Sequence, residues 1–219
     1  MKHCRRAFAV LIATAAAATA AAGTQLWDFS GGIEDWQVAN GTWETNNGVL
    51  QQTDETMVAA HAIVGETNWD DYVVHAKIRI DEGNWAGLIF RAQDEFQYYV
   101  YYLNAQNNKS ELWKHNPGAF NARNAINSNI GADGVQVTRG DWIHVRAEVV
   151  GSDFALYIND KLQAEQSDPS YAAGAIGLWS WTSKASFDDL TITGDNVEDT
   201  LSVQPNGKLA SQWAALKRR

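Results

Sequence analysis

Apolar and polar residues alternate with a period of two through most of the chain, which predicts β-strands. The clearest runs are Tyr72–Ile80 and Trp142–Val150, where every second side chain is apolar. No segment before residue 195 shows the roughly 3.6-residue apolar period of a helix. Turn signals such as Asn40-Gly41 and Asn159-Asp160 divide the chain into about a dozen short strands. We therefore expect an all-β fold, an antiparallel two-sheet β-sandwich.

The segment Gly87–Asn104 predicts a central hairpin with a polar turn at Gln93–Glu95. Strict alternation would place Arg91 on the same face as Ile89 and opposite to Phe90. Both faces of this hairpin are too apolar for a strand with one side in water. We expect one face to pack on the core and the other to offer an aromatic surface. One arginine and four tyrosines there suit a sugar-binding floor, and they equally suit a sandwich core.

The first 22 residues have the composition of a signal peptide. Lys2, Arg5 and Arg6 form a basic start, an alanine-rich apolar run follows, and Ala20–Ala22 offers small residues for cleavage. The paired arginines fit twin-arginine export and general secretion alike. The apolar run is too short and too weakly apolar for a membrane span, so we expect no transmembrane segment in the mature chain. These features predict an exported protein, periplasmic or extracellular.

Charge and cysteine content narrow the classes of partner. The only cysteine, Cys4, lies in the predicted signal peptide, so the mature chain would have no disulfide or thiolate metal site. Removing residues 1–22 leaves 14 basic and 26 acidic residues and moves the formal charge from −9 to −12. This balance disfavours nucleic acid and anionic lipid surfaces. A neutral ligand or a divalent cation remains compatible with it.

Two stretches depart from the strand pattern. Residues 116–134 are rich in Asn, Gly and Ala, and they predict a long loop of the kind that often carries function. Residues 195–219 predict an acidic linker followed by a short basic amphipathic helix at 208–219. One interpretation is a short helix that is docked on the domain or frayed, and the other is a sorting signal or a docking signal for a protein partner. The predicted organisation is a signal peptide (1–22), one β domain (23–194) and this tail.

Several loose motifs follow one another along the predicted domain. They are Gly41-Thr42-Trp43, Gly87-Leu88-Ile89-Phe90-Arg91, Gly140-Asp141-Trp142, Leu156-Tyr157-Ile158-Asn159-Asp160, Gly174-Ala175-Ile176-Gly177-Leu178 and Phe187-Asp188-Asp189-Leu190. In this order the motifs resemble the concanavalin A-like lectin/glucanase jelly roll over about residues 23–194. The laminin-G-like, levan-binding-module-like and 3-keto-disaccharide-hydrolase-like branches are the most similar. The glycines at 174 and 177 would permit a close backbone approach, and the paired aspartates at 188 and 189 indicate a bulge or a ligand site.

The carboxylates do not support ordinary glycosidase chemistry. The glucanases that this fold resembles carry an acid and a nucleophile on one strand face, and no Glu-x-Asp-x-(x)-Glu run occurs in this chain. No Gly-x-Ser-x-Gly elbow occurs either, and the histidines His61, His75, His115 and His144 lack metal-ligand spacing. We therefore name no catalytic residue. The hydrolase activity of the keto-disaccharide branch rests on the resemblance alone.

Sugar binding requires flat aromatic faces and a few fixed polar groups. Seven residues are our candidates for the carbohydrate-binding surface: Arg91, Tyr99, Tyr101, Trp113, Lys114, Trp179 and Trp181. For each aromatic residue the alternative is core or rim packing. For Arg91 the alternative is a structural pair with a carboxylate such as Asp94.

A structural calcium ion is implied by the resemblance, since such jelly rolls often join their first and last strands through one. Asp28 and Asp188 (or Asp189) are the candidate ligands, because calcium prefers carboxylate oxygens. The alternative is that these aspartates are surface or turn residues.

These observations predict an exported carbohydrate-binding, lectin-like module without glucanase carboxylates. The first alternative is a hydrolase of the 3-keto-disaccharide type, and the second is a laminin-G-like protein-adhesion module. The expected partner is a glycan or polysaccharide, whose identity the sequence leaves open.

Overall fold

The predicted alternation produces fifteen β-strands in the computed structural model, which describes residues 22–200. No helix occurs within this range, and so none that could cross a membrane. In chain order the strands are β1 (Gly23–Trp27), β2 (Gln37–Asn40), β3 (Trp43–Asn46), β4 (Val49–Gln52), β5 (Ala60–Val64), β6 (Tyr72–Glu82), β7 (Trp85–Ala92), β8 (Tyr99–Asn104), β9 (Lys109–His115), β10 (Arg123–Gly131), β11 (Ile143–Val150), β12 (Asp153–Ile158), β13 (Lys161–Ser167), β14 (Ala175–Trp181) and β15 (Lys184–Gly194).

The strands form two antiparallel sheets. The first sheet has the order β13-β12-β11-β6-β15-β4-β3, and β1 pairs with β15 beside β4. The second sheet has the order β10-β9-β8-β7-β14-β5-β2. Consecutive strands in space are often distant in sequence, as expected for a jelly roll. The predicted all-β, two-sheet sandwich is confirmed.

The main core lies between the two sheets. On β6 the alternate residues Tyr72, Val74, Ala76, Ile78 and Ile80 are buried there, as the sequence pattern predicts. A second apolar cluster lies on the outer face of the second sheet, around Ile89, Tyr102 and Trp179. The central strands β7 and β8 are therefore covered on both sides, which explains why neither of their faces is polar.

Close backbone packing accounts for two of the glycines. A Cβ at Gly174 would overlap the backbone of Arg91, and its φ of 150° lies where L side chains are strained. A Cβ at Gly177 would overlap the Ala62 carbonyl on β5. The predicted bulge at the paired aspartates is also present, since the β15–β6 register shifts between Asp188 and Thr191.

The prediction of a loop at 116–134 is wrong for the second half of this segment. Residues Arg123–Gly131 form β10, an edge strand whose pairing with β9 shifts register twice. Its polar, Asn-rich sequence has low strand propensity, and it has a neighbour on one side only. The alternation that would mark such a strand is lost at the bulges.

The ends of the predicted organisation lie mostly outside the described residues, which exclude 1–21 and 201–219. The signal peptide and the C-terminal helix are not described. Residues 195–200 lie beside β1, where Gln25 donates from Nε2 to the Glu198 carbonyl (3.1 Å). Val197 is buried against the main core.

Candidate functional site

The outer face of the second sheet gathers aromatic side chains from five strands. In β8 and β9, Val100 lies opposite Trp113, so the two side chains share a face with Tyr98 and Tyr102. In β7 and β14, Trp85 lies opposite Trp181. We call this set the aromatic face: His61, Trp85, Tyr98, Tyr102, Trp113, His115, Trp179 and Trp181.

The rings of the aromatic face form a continuous stack across the strands. The ring centres of Trp113 and Tyr102 are 6.4 Å apart, and those of Tyr102 and Trp179 are 5.1 Å apart. In both pairs the ring planes are nearly parallel. Trp181 follows at 5.9 Å from Trp179. The stack crosses β7 at Gly87, where a Cβ would come within 2.5 Å of the Tyr102 Cβ. The missing side chain lets rings from β8 and β14 meet.

Arg123, at the start of β10, lies over the exposed end of this stack. Its guanidinium carbon is 3.9 Å from the Trp181 ring centre and 4.9 Å from that of Trp113. Such contacts combine cation–π attraction with planar stacking. The Arg123 Nε is buried and has no hydrogen-bond acceptor among the described residues. The guanidinium therefore lies against both Trp113 and Trp181 at this end of the aromatic face.

Glu111 organises the polar part of the site. Its carboxylate accepts hydrogen bonds from Tyr102 Oη (2.9 Å), Asn104 Nδ2 (3.0 Å) and Trp113 Nε1 (2.9 Å). Lys109 Nζ lies at 3.1 Å. Burial favours the protonated form, but these four donors outweigh it and hold the pKa of Glu111 below its ordinary value of 4.5. The carboxylate is therefore ionised and fixes the orientation of Tyr102 and Trp113.

The middle of the aromatic face is closed. Phe120 packs on His61 at 5.4 Å and on Phe96 at 5.0 Å. Beneath it, Tyr98 stacks on His115 at 4.4 Å, and both are fully buried. Burial, and then the nearby Arg123 charge, lower the pKa of His115 to about 3, so the imidazole is neutral.

Beyond the closed middle, a cleft of about 240 Å³ lies at the other end of the same face. Polar side chains of Asp35, Gln37, Gln93 and Asp94 line it. The larger groove of about 550 Å³ runs along β11–β13 on the first sheet and is remote from the aromatic face. The partly exposed tryptophans, with Arg123, therefore lie at one end of the second sheet and a polar depression at the other.

The structure divides the seven predicted binding residues between two faces. Trp113, Trp179 and Trp181 lie together on the aromatic face. Tyr99 and Tyr101 point into the main core instead, since Tyr99 lies opposite Lys114 and Tyr101 opposite Leu112. The expectation of one shared face is therefore corrected, because the register of β8 against β9 could not be read from the sequence.

Arg91 turns inward because of a bulge. Four residues of β7 (Ile89 to Ala92) oppose three of β14 (Ala175 to Gly177), and Arg91 has a φ of 52°. Its Nη1 donates to the Tyr171 carbonyl and its Nη2 to the Asp70 carbonyl, each at 3.0 Å. The nearest carboxylate is that of Asp71, at 3.8 Å, rather than Asp94. Arg91 is fully buried and acts as a structural residue.

Lys114 also lies off the aromatic face. Its Nζ is 3.1 Å from Asp168 Oδ2 and donates to Ser170 Oγ at 2.7 Å. Burial favours the protonated form of Asp168, but hydrogen bonds from Ser170, Tyr99 and Lys114 outweigh it and lower its pKa. Lys114 thus ties β9 to the segment after β13.

The candidate calcium ligands lie where the first and last strands pair. Trp27 lies opposite Leu190, so Asp28 follows directly on β1 beside the bulge of β15. Burial raises the pKa of Asp188, and the charges of Asp189 and Asp28 raise it further. Asp189 itself pairs with Lys77 at 2.6 Å. Two carboxylates fit part of a calcium shell, while residues 22–200 contain no set of three or more His, Cys, Asp or Glu side chains suited to a metal ion. The calcium ion stays a prediction.

Several residues of the site were missed by sequence reasoning. Tyr98 and Tyr102 share the period-two alternation of Val100, and Glu111 shares that of Trp113. The alternation alone could therefore have placed these residues on the same face. Arg123 was not, because it lies in the segment predicted as a loop.

Comparison with known proteins supports the predicted resemblance. The model of the 3-keto-alpha-glucoside-1,2-lyase-like domain family matches residues 24–193. A levanase from Bacillus subtilis (strain 168) is 25% identical over 168 residues, covering 74% of this chain but 23% of the levanase. The chain thus spans less than a quarter of that relative.

Solved structures show the same fold at low identity. Carbohydrate binding module CBM66 from Bacillus subtilis superposes with a TM-score of 0.63 at 22% identity, covering 72% of this chain and 94% of the module. An endo-beta-1,3-glucanase from Pyrococcus furiosus gives a TM-score of 0.55 at 10% identity, covering 78% of this chain and 93% of the glucanase. The resemblance to the concanavalin A-like jelly rolls is confirmed. Because the family model covers most of its length, this chain belongs to the 3-keto-alpha-glucoside-1,2-lyase-like domain family.

Proposed function

We propose that this protein is a carbohydrate-binding module that holds a glycan at the exposed end of the aromatic face. The observation that carries the proposal is the grouping of three partly exposed tryptophans, Trp85, Trp113 and Trp181, around Arg123 and the ionised Glu111. Aromatic rings match the apolar C–H faces of sugar rings, and fixed polar groups select hydroxyls. The CBM66 likeness supports binding as the general function.

Levan is the first ligand to test, because a levanase shares sequence with this chain over most of the β domain. An exported location fits both the predicted signal peptide and a polymeric glycan outside the cytoplasm.

Binding is best tested by affinity electrophoresis and calorimetry of the full chain with levan and a panel of other polysaccharides. We expect Trp181→Ala to weaken binding about tenfold, since an aromatic contact contributes roughly 0.5–1.5 kcal/mol. Trp142→Ala is the matched control, because Trp142 is exposed and lies just before β11 of the first sheet. Equal effects of both variants, or no retention on any glycan, would overturn the proposal.

A second candidate function is turnover of a 3-keto-glucoside, which the family match favours. An elimination of this kind needs a base that removes the proton beside the keto group while the glycosidic C–O bond breaks. Glu111 is ionised, but four donors already occupy its oxygens. His115 is neutral, but it is fully buried. The geometry therefore favours binding over turnover.

Mass analysis of a 3-keto-disaccharide incubated with the full chain separates the two candidates. We expect the disaccharide to remain intact. Loss of the disaccharide with release of its second sugar, abolished by Glu111→Gln, would put the lyase first.

A further inference from the structure

The outer face of the first sheet, opposite to the aromatic face, carries a pair of histidines in direct contact. His75 on β6 and His144 on β11 are diagonal neighbours, since His75 lies opposite Arg146 and His144 opposite Lys77. The His144 Nε2 and the His75 Nδ1 are 3.1 Å apart. Both side chains are only partly buried, so solvent reaches them. None of the functions considered above uses this pair.

We propose that His75 and His144 form a surface site for a divalent transition-metal ion, with Cu²⁺ as the preferred ion and water completing the coordination shell. The spacing of the nitrogens supports this site. Two ligands about 2.05 Å from one metal ion are about 2.9 Å apart at a square-planar angle and about 3.3 Å apart at a tetrahedral angle. The observed 3.1 Å lies between these values. A metal ion can therefore replace the proton that the two rings share with little movement of the strands.

The surroundings hold His144 in a suitable position. Its backbone N–H donates to Asn159 Oδ1 at 3.0 Å, and its carbonyl accepts from the Asn159 N–H at 2.8 Å. The side chain of Asp160 lies on the other side of the ring, with Oδ1 3.7 Å from His144 Nδ1. A carboxylate at this position favours a proton on Nδ1 and leaves the Nε2 lone pair directed at His75.

The cations beside the pair do not oppose a metal ion strongly. Lys77 is paired with Asp189 at 2.6 Å. Arg146 is paired with Glu148, and its guanidinium lies 3.7 Å from the Tyr157 ring centre. Each positive charge thus has a carboxylate partner of its own. Asp160 adds a further negative charge near His144.

Imidazole nitrogen favours Cu²⁺ over Ni²⁺ and Zn²⁺ in the usual affinity order, so copper is the sharpest probe. The protein for the experiment is the full chain carrying His3→Ala and Cys4→Ser, since both native side chains are metal ligands by type. Titration with CuCl₂ at pH 7.5, followed by calorimetry and electron paramagnetic resonance, should show one ion per chain with two nitrogen ligands. Nickel and zinc should bind at the same place more weakly.

Three variants distinguish this site from general surface binding. His144→Ala and His75→Ala should each remove the two-nitrogen signal and weaken binding at least tenfold. Asp160→Asn should keep the signal and weaken binding about tenfold, as expected for a carboxylate that orients a ligand. A thermal melt without metal verifies that each variant folds. Copper binding that is unchanged in His144→Ala, or no two-nitrogen signal in the parent chain, would overturn the proposal.

Discussion

Glu111 shows how a single buried carboxylate can hold the aromatic face together. Its four donors come from β8 and β9, and two of them belong to rings of the aromatic face. The carboxylate therefore couples the stability of these strands to the position of the rings. This coupling makes Glu111 a sensitive point for both mutation and pH.

We predict that Glu111→Gln lowers the free energy of unfolding by about 2–3 kcal/mol, because the new amide group faces donors and leaves a buried hydrogen bond unmade. The folded-state pKa of Glu111 is lowered, so its contribution is complete above its ordinary value of 4.5 and is lost as the pH falls through the folded value. Urea unfolding at pH 7 and in the acid range measures both effects.

The matched control for this variant is Glu165→Gln, at an exposed position on β13. It should change the unfolding free energy by no more than about 0.5 kcal/mol. A difference between Glu111→Gln and the native chain that stays constant down to the most acidic conditions would contradict the assigned role.

Arg91 and Arg123 should separate stability from binding. Arg91→Met leaves the carbonyls of Tyr171 and Asp70 without their donors, and we expect it to cost about 3 kcal/mol of stability. The folded fraction should bind glycan as the native chain does. Arg123→Met should do the reverse, weakening binding with little change in stability. Urea unfolding measures the stability of both variants, and calorimetry measures their affinity for glycan. A loss of affinity in folded Arg91→Met would contradict the structural role of Arg91.

The strands β14 and β5 depend on a position where only glycine fits. A methyl group at Gly177 would overlap the Ala62 carbonyl and come within 3.1 Å of the Ile63 Cα. We predict that Gly177→Ala costs about 1–3 kcal/mol, as for other overpacked interiors. Gly31→Ala is the control, since a Cβ at Gly31 meets nothing within 4 Å. The melting temperatures of the two variants should differ by several degrees. Equal melting temperatures would contradict the prediction, because they would show that β14 and β5 can move apart enough to accept the methyl group.

The pairing of β1 with β15 brings carboxylates together, and a cation there would offset their repulsion. The folded-state pKa of Asp188 is raised, so in the metal-free chain its ionisation opposes folding as the pH rises past its ordinary value of 3.8. We predict that saturating calcium adds about 2–3 kcal/mol of stability, which raises the melting temperature by roughly 5–10 °C. Asp188→Asn should abolish the gain. A melting temperature that neither chelator nor excess calcium moves would remove the ion from consideration.

The strands were predictable because alternation is a local property of the sequence. Tyr72–Ile80 and Trp142–Val150 became β6 and β11, with their alternate apolar residues in the main core. The contacts between strands are not local, so bulges and strand register could not be predicted from the alternation. The bulge at Arg91 reversed one side chain, and the β8–β9 register separated Tyr99 from Trp113. A site composed of several strands depends both on the bulges and on the register between neighbouring strands.

The whole molecule places two different surfaces on its opposite sheets. The second sheet presents aromatic rings with a fixed carboxylate, and the first presents paired charges and the two histidines. The main core between them separates the two surfaces. Variants on one sheet should therefore leave the other unaffected, which makes each surface a control for the other.

The partnership of β1 with β15 also determines when this protein can finish folding. Gly23 pairs with Gly194, so β1 has to wait until β15 has been synthesised. At roughly 5–20 residues per second, synthesis of the intervening chain takes on the order of ten seconds or more. Throughout that time the nascent β1 has open backbone groups and no partner within its own chain. Among the strands that the structure describes, β1 is therefore synthesised before all the others and is one of the last to pair, and its open edge can meet other chains during that interval.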